Sequence, residues 1–127
     1  MIATVAMCGF GCAKQVRLNH LPLAQSGTAN ARIELTYNRN DAILLKLSHV
    51  PDPAALNPKY TCYVAWVATP DQRYVINVGR LRVEKGKAEI STLTPLRKFT
   101  ILITAETSGD VMSPGPDILF QSNEINW

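Results

Sequence analysis

The sequence Lys59-Tyr60-Thr61-Cys62-Tyr63-Val64-Ala65-Trp66-Val67-Ala68 forms the most apolar predicted strand of the chain. Its apolar side chains occupy both alternating faces of an extended segment. One face carries Tyr60, Cys62, Val64 and Trp66, and the other carries Tyr63, Ala65 and Val67. A strand that is apolar on both faces is covered on both sides. We therefore expect this segment to be a central strand of a sheet, with Trp66 near the middle of the core.

Short alternating segments flank the central strand on both sides. Residues 31–37 and 42–50 predict a hairpin, and residues 98–106 predict another strong strand. Turn residues separate seven or eight such strands, and no segment supports a long amphipathic helix. This pattern predicts an all-β, immunoglobulin-like antiparallel β-sandwich over residues 31–127. The expected core residues are Tyr60, Val64, Trp66, Phe99, Ile101 and Ile103.

The composition limits the classes of function. The 127 residues make one domain, with 46% hydrophobic and 18% charged residues and a net charge of +3. Such a chain is too apolar to be disordered and too charged to be a membrane bundle. Nucleic-acid binders concentrate basic residues in a stripe, and none is present, so no nucleic-acid partner is expected.

The first thirteen residues have the character of an export signal. Residues 1–13 contain no charged side chain and are too short to span a bilayer, which needs roughly 20 residues. Gly9-Phe10-Gly11-Cys12 resembles a bacterial lipoprotein cleavage site, which predicts lipidation at Cys12. Val5-Ala6-Met7-Cys8 is a poorer second candidate, because Met7 is not small. The alternative is a buried first strand.

The segment after this leader is polar and without periodicity. Residues 14–30 contain Gly, Ser, Thr, Asn and Gln, a composition typical of flexible linkers. We expect residues 14–30 to be a tether between a membrane anchor and the folded body.

Part of the chain resembles a known family. A proline-rich loop (51–58) is followed by the central strand, by Val78-Gly79-Arg80-Leu81, by Ile103-Thr104-Ala105-Glu106 and by Ser113-Pro114-Gly115-Pro116. This order resembles the extracytoplasmic C-terminal domain of anti-sigma-K-factor-type regulators and related bacterial envelope lipoproteins. The resemblance implies the fold and an extracytoplasmic address, without the sigma-binding and transmembrane parts. Residues 73–78 and 81–84 predict two short strands on either side of Gly79, where we expect a bend or bulge. We expect Glu106 to accept backbone N–H bonds across the neighbouring corner.

The sequence contains no convincing catalytic constellation. His49 and Asp52 are one candidate metal-binding pair, but a metal site needs three or four ligands. Cys62 has the pattern of a small buried hydrophobe. There is no Gly-x-Ser-x-Gly elbow and no glycine-rich phosphate loop. We therefore expect no enzyme, no cofactor and no metal.

The densest basic region lies in the second half of the chain. It consists of Arg73, Arg80, Arg82, Lys85 and Lys87. One interpretation is an anion-facing patch for lipid headgroups or an acidic glycan. The alternative, which we favour, is a solvated edge that charge protects from aggregation.

The sequence thus predicts an exported, lipid-anchored β-sandwich domain in the bacterial periplasm or at the cell surface. Its expected role is binding or structural support, with a protein partner in the envelope and membrane attachment through Cys12. The alternative is an accessory subunit that docks through an edge strand or through residues 121–127. A small enzyme or metal-binding protein is a third and weaker hypothesis.

Overall fold

The computed structural model describes residues 13–36 and 40–126, which form ten β-strands and one short helix. The strands in chain order are β1 (Ala13–Arg17), β2 (Asn19–His20), β3 (Thr28–Leu35), β4 (Asp41–Ser48), β5 (Cys62–Ala68), β6 (Val75–Leu81), β7 (Ala88–Thr94), β8 (Lys98–Glu106), β9 (Ile118–Gln121) and β10 (Ile125–Asn126). Helix α1 spans Pro53–Leu56, and Pro22–Ala24 forms a 3₁₀ turn. The predicted leader, with Cys12, lies outside the described residues except for Ala13, the first residue of β1.

The strands form two antiparallel sheets. The four-stranded sheet has the order β1-β3-β4-β7, and the six-stranded sheet has the order β2-β9-β8-β5-β6, with β10 also paired to β8. Alternate side chains from both sheets meet in a shared apolar core, as in a sandwich. The predicted all-β sandwich is therefore confirmed.

Strand β5 is the central strand that the sequence predicted. All seven of its residues are buried, and β6 and β8 pair with its two edges. One face of β5 contributes Tyr63, Ala65 and Val67 to the core between the sheets. Apolar residues on both faces thus correspond to two separate packing environments.

The predicted place of Trp66 at the sandwich centre is wrong. Trp66 and Val64 belong to a second apolar cluster, on the outer face of the six-stranded sheet, together with Leu102. Phe99, Ile101 and Ile103 lie in the core between the sheets, because residues of odd number on β8 face the opposite way from Leu102. All six expected core residues are buried, but they are divided between the two clusters.

The interpretation of residues 14–30 as a flexible tether is also wrong. Strand β1 pairs with β3 over five residues, from Ala13 opposite Glu34 to Arg17 opposite Asn30. The chain then crosses to the other sheet through Leu18, which is buried, and β2 pairs with β9. Polar side chains hide these strands in the sequence because β1 is an edge strand with a mostly exposed side-chain pattern.

The number of strands also needs correction, because the described residues form ten strands instead of the expected seven or eight. Residues 73–78 and 81–84 were expected to form two short strands, but they are replaced by the single strand β6. Its register against β5 shifts between Ala65 and Trp66, where Ala65 faces Gly79 and Trp66 faces Asn77. The extra residue is Val78, so the expected bulge at Gly79 is confirmed.

The C-terminal segment is part of the six-stranded sheet. Ile125 and Asn126 pair with Phe99 and Lys98 of β8, and Ile125 is buried. The Ser122 hydroxyl accepts a hydrogen bond of 2.8 Å from the Ile101 backbone N–H. Because residues 122–126 are engaged in this way, they are not a free tail for docking.

Candidate functional site

The outer face of the four-stranded sheet, here called the open face, is not covered by any other described strand or helix. Core-facing residues alternate along β3, β4 and β7 with residues that point outward to solvent. The outward row across the middle of the sheet joins Arg32, Leu44 and Ser91 through the strand register. A sheet face of this kind offers a broad contact surface rather than an enclosed pocket.

Two shallow depressions lie side by side on the open face. The larger, of about 520 Å³, is formed by Lys46, Leu47, Ser48, Arg82, Glu84, Lys87, Ala88 and Glu89. The smaller, of about 380 Å³, is formed by Arg32, Glu34, Ala42, Ile43, Leu44, Ser91, Thr92 and Leu93. Both lie over β4 and β7, so together they follow the length of these two strands.

The larger depression is polar and has mixed charge. Lys46 lies directly opposite Glu89 in the strand register, and Glu84 pairs with Lys87 through a backbone bridge. Among the described residues, none of these side chains is within 4.0 Å of an oppositely charged group. The cations and carboxylates are therefore available to a partner with both donor and acceptor groups.

The structure does not bring the five predicted basic residues together. Arg82 and Lys87 line the larger depression, and Lys85 lies in the adjoining turn. Arg80 lies opposite Val64 in the register, so it is on the outer face of the other sheet. Arg73 is in the turn between β5 and β6, with its side chain 4.0 Å from the Asp71 carboxylate. The predicted anion-facing patch is thus reduced to Arg82 and Lys87, joined by Lys46, which sequence reasoning did not include.

The outer face of the six-stranded sheet carries a buried chain of hydrogen bonds. The Trp66 indole N–H donates to the Thr104 hydroxyl at 2.9 Å, and that hydroxyl donates to Glu106 Oε2 at 2.6 Å. The same carboxylate oxygen accepts the Gly115 backbone N–H at 2.8 Å. The expected bond from the neighbouring corner to Glu106 is therefore confirmed.

This hydrogen-bond chain fixes the loop of residues 107–117 over the sheet. The Asn77 side-chain amide donates to the backbone carbonyls of Gly109 and Val111 at 2.9 and 3.0 Å. Val111 also packs against the Trp66 cluster. Sequence reasoning missed Asn77 and Thr104, although two polar residues at 104 and 106, on one face of an apolar strand, are a signal that could have revealed the network.

Two tyrosines near the loops have strongly raised pKa values. The Tyr60 hydroxyl donates to the Asp117 carboxylate, and this bond, followed by burial, raises the pKa of Tyr60 to about 12. Burial raises the pKa of Tyr63, whose hydroxyl donates to the Pro51 carbonyl at 2.5 Å. Both hydroxyls hold loops against the sheet as neutral donors, which is a structural use of tyrosine.

The structure shows where the cysteine and histidine candidates of the folded body lie. Cys62 is a free, buried thiol, so a reagent in solvent does not reach it. His49 is exposed and has a positive φ of 58°. Within residues 13–36 and 40–126, no three His, Cys, Asp or Glu side chains are grouped closely enough to hold a metal ion. No helix in this part of the chain is long and apolar enough to cross a membrane.

Comparison with known proteins does not add a family. The chain matches no protein-family model, no curated protein and no solved structure. The resemblance to the extracytoplasmic domain of anti-sigma-K-factor-type regulators therefore stays a prediction from the sequence. The candidate site remains the open face, defined by its own geometry.

Proposed function

We propose that this chain is a lipid-anchored β-sandwich domain of the bacterial envelope that acts by binding and not by catalysis. The observation that carries the proposal is the position of Cys12, immediately before the first residue of β1. Cleavage before Cys12 would remove the uncharged leader and leave all ten described strands intact. The resemblance to envelope lipoproteins supports the same extracytoplasmic address.

The binding role rests on the open face. Its two adjoining depressions combine cations, carboxylates and the apolar side chain of Leu44. Mixed charge of this kind favours selection of a complementary protein surface over tight capture of a simple anion. We therefore propose that an envelope protein binds across β4 and β7.

The anchor is tested by fatty-acid labelling in the cells that produce the protein. We expect the chain to take up a labelled fatty acid, Cys12→Ser to lose the label, and Cys8→Ser to keep it. A label that survives in Cys12→Ser would overturn the proposed anchor site.

The open face is tested by a photo-crosslinking side chain placed at Leu44 in intact cells. The matched control places the same group at Lys59, an exposed residue in the loop before β5. We expect a discrete adduct at position 44, its loss when Lys46 and Arg82 are both changed to Glu, and no adduct at position 59. The absence of an adduct at position 44 would contradict this binding role.

A second candidate is an accessory subunit that docks through an edge strand. The observation in its favour is that β1 and β7 are the outer strands of the four-stranded sheet, and edge strands can pair with strands of a neighbouring chain. Sedimentation of the purified protein, alone and with membrane extract, separates a stable assembly from a monomeric domain.

A further inference from the structure

Exposed apolar side chains are concentrated at one end of the sandwich. Among the described residues, five large apolar side chains are exposed, and four of them lie near this end. Tyr74, Leu93 and Ile76 are 65%, 57% and 51% exposed, and Leu35 is 36% exposed. The fifth, Met112, is in the loop that covers the six-stranded sheet. Exposed apolar side chains that form a patch mark sites of contact with a protein or a membrane.

The strand register shows that these residues share one end. In the four-stranded sheet, Ala13 lies opposite Glu34, Glu34 opposite Ala42, and Ala42 opposite Leu93. Residues 95–97 connect β7 to β8, which starts at Lys98. In the six-stranded sheet, β5 ends and β6 begins at the same end, because Ala68 pairs with both Thr100 and Val75. Tyr74 immediately precedes that pair in the chain.

The N-terminal segment joins the body at this end. Ala13 starts β1, so Cys12 is one residue from the row that contains Leu93. No flexible tether separates the proposed lipidation site from the sheet, because residues 13–17 are paired with β3. An acyl chain on Cys12 would therefore hold this end, which we name the anchor end, close to the bilayer surface.

The charges of the anchor end suit a membrane interface. Arg97 and Lys98 are adjacent and exposed at the β7–β8 corner. Arg73 lies beside Asp71, and Glu34 is the carboxylate on the Ala13 row. Basic side chains attract anionic headgroups. Tyrosine is favoured at the membrane–water interface, because its ring is apolar and its hydroxyl can be hydrated.

We propose that the anchor end lies against the bilayer, with Tyr74, Ile76 and Leu93 in the headgroup region and Arg97 and Lys98 on lipid phosphates. This inference rests on the proposed lipid anchor, which supplies a high effective concentration of membrane, so a weak surface contact is sufficient. The contact orients the sandwich so that its sheets stand upright on the membrane. The side chains of the open face then point along the membrane plane, where a neighbouring envelope protein can reach them.

The test measures quenching by brominated lipids in the acylated, full-length protein. The protein is purified from membranes and placed in vesicles of phosphatidylcholine and phosphatidylglycerol. A tryptophan is introduced at the anchor end by Tyr74→Trp, and at the opposite end by Ala55→Trp on helix α1. We expect lipid bromines to quench roughly half of the added emission at position 74 and almost none at position 55, because interfacial residues sit about 5–10 Å deep.

A second arm separates the contact from the anchor. The Tyr74→Trp protein is also prepared with Ile76→Ser and Leu93→Ser together. We expect this double substitution to reduce the quenching of the tryptophan at position 74 several-fold, while the protein stays on the vesicles. Equal quenching at positions 74 and 55, or no effect of the double substitution, would overturn the proposed orientation while the anchor stands. A protein that lacks the acyl chain altogether would instead refute the lipid anchor on which the orientation rests.

Discussion

The buried carboxylate of Glu106 provides a quantitative test of how the 107–117 loop is held. Its Oε2 atom accepts two hydrogen bonds, from the Thr104 hydroxyl and from the Gly115 N–H. Bonds to a charged acceptor contribute about 1.5–3 kcal/mol each, and neutral bonds about 0.5–1.5 kcal/mol. Glu106→Gln keeps the shape and loses about 1 kcal/mol per bond, so it should lower the free energy of unfolding by about 2 kcal/mol.

Removal of the acceptor should be more damaging than loss of its charge. Glu106→Leu leaves two donors without their partner, and we expect a loss of about 4 kcal/mol, a large part of the stability of a small domain. The assay is urea unfolding monitored by circular dichroism. The dependence of the unfolding free energy on urea concentration is compared between variants. Glu89→Gln, an exposed carboxylate on the open face, is the control and should stay within about 0.5 kcal/mol of the parent. A Glu106→Gln protein as stable as the parent would contradict the proposed role of the carboxylate. A Glu106→Leu protein with the same free energy of unfolding as the Glu106→Gln protein would contradict it as well.

Three further predictions follow from local geometry. Gly79 has a φ of +148°, and an added Cβ would lie 2.0 Å from Ile90 Cδ1, so Gly79→Ala should destabilise by about 2 kcal/mol and the loss should be partly relieved in the double variant with Ile90→Val. The raised pKa of Tyr60, about 12 against 10.0, means that its contribution to stability is complete below pH 10 and is lost as the pH rises toward 12. Tyrosinate absorbance should therefore show a transition near pH 12 that Tyr60→Phe removes, while the late titration of the buried Tyr63 remains. A titration of all tyrosines near pH 10 would contradict this prediction. Hydrogen exchange should show protected amides in β1, whereas a tether would exchange at once.

The sequence predicted the elements in which side-chain pattern and environment agree. Strand β5 was identified because both of its faces are apolar, and it is buried along its whole length. The bulge at Gly79 and the acceptor role of Glu106 followed from residue types with few alternatives. The open face was not predicted, because it depends on which outward residues the register places side by side.

The errors have physical causes in edge strands and in the two-sided burial of β5. Strand β1 is polar because it has little apolar area to bury, so its pairing with β3 is invisible to periodicity. Alternation along β5 predicts two faces, but it does not show which face meets the other sheet. Trp66 was therefore assigned to the sandwich core, although it packs on the outer side against Val111 and Leu102.

The proposed function is tested most directly by the intact mass of the protein recovered from its native membrane fraction. We expect a chain that begins at Cys12, carries acyl chains on that residue and lacks residues 1–11. A mass equal to that of the unprocessed 127 residues would contradict both export through this leader and attachment through Cys12.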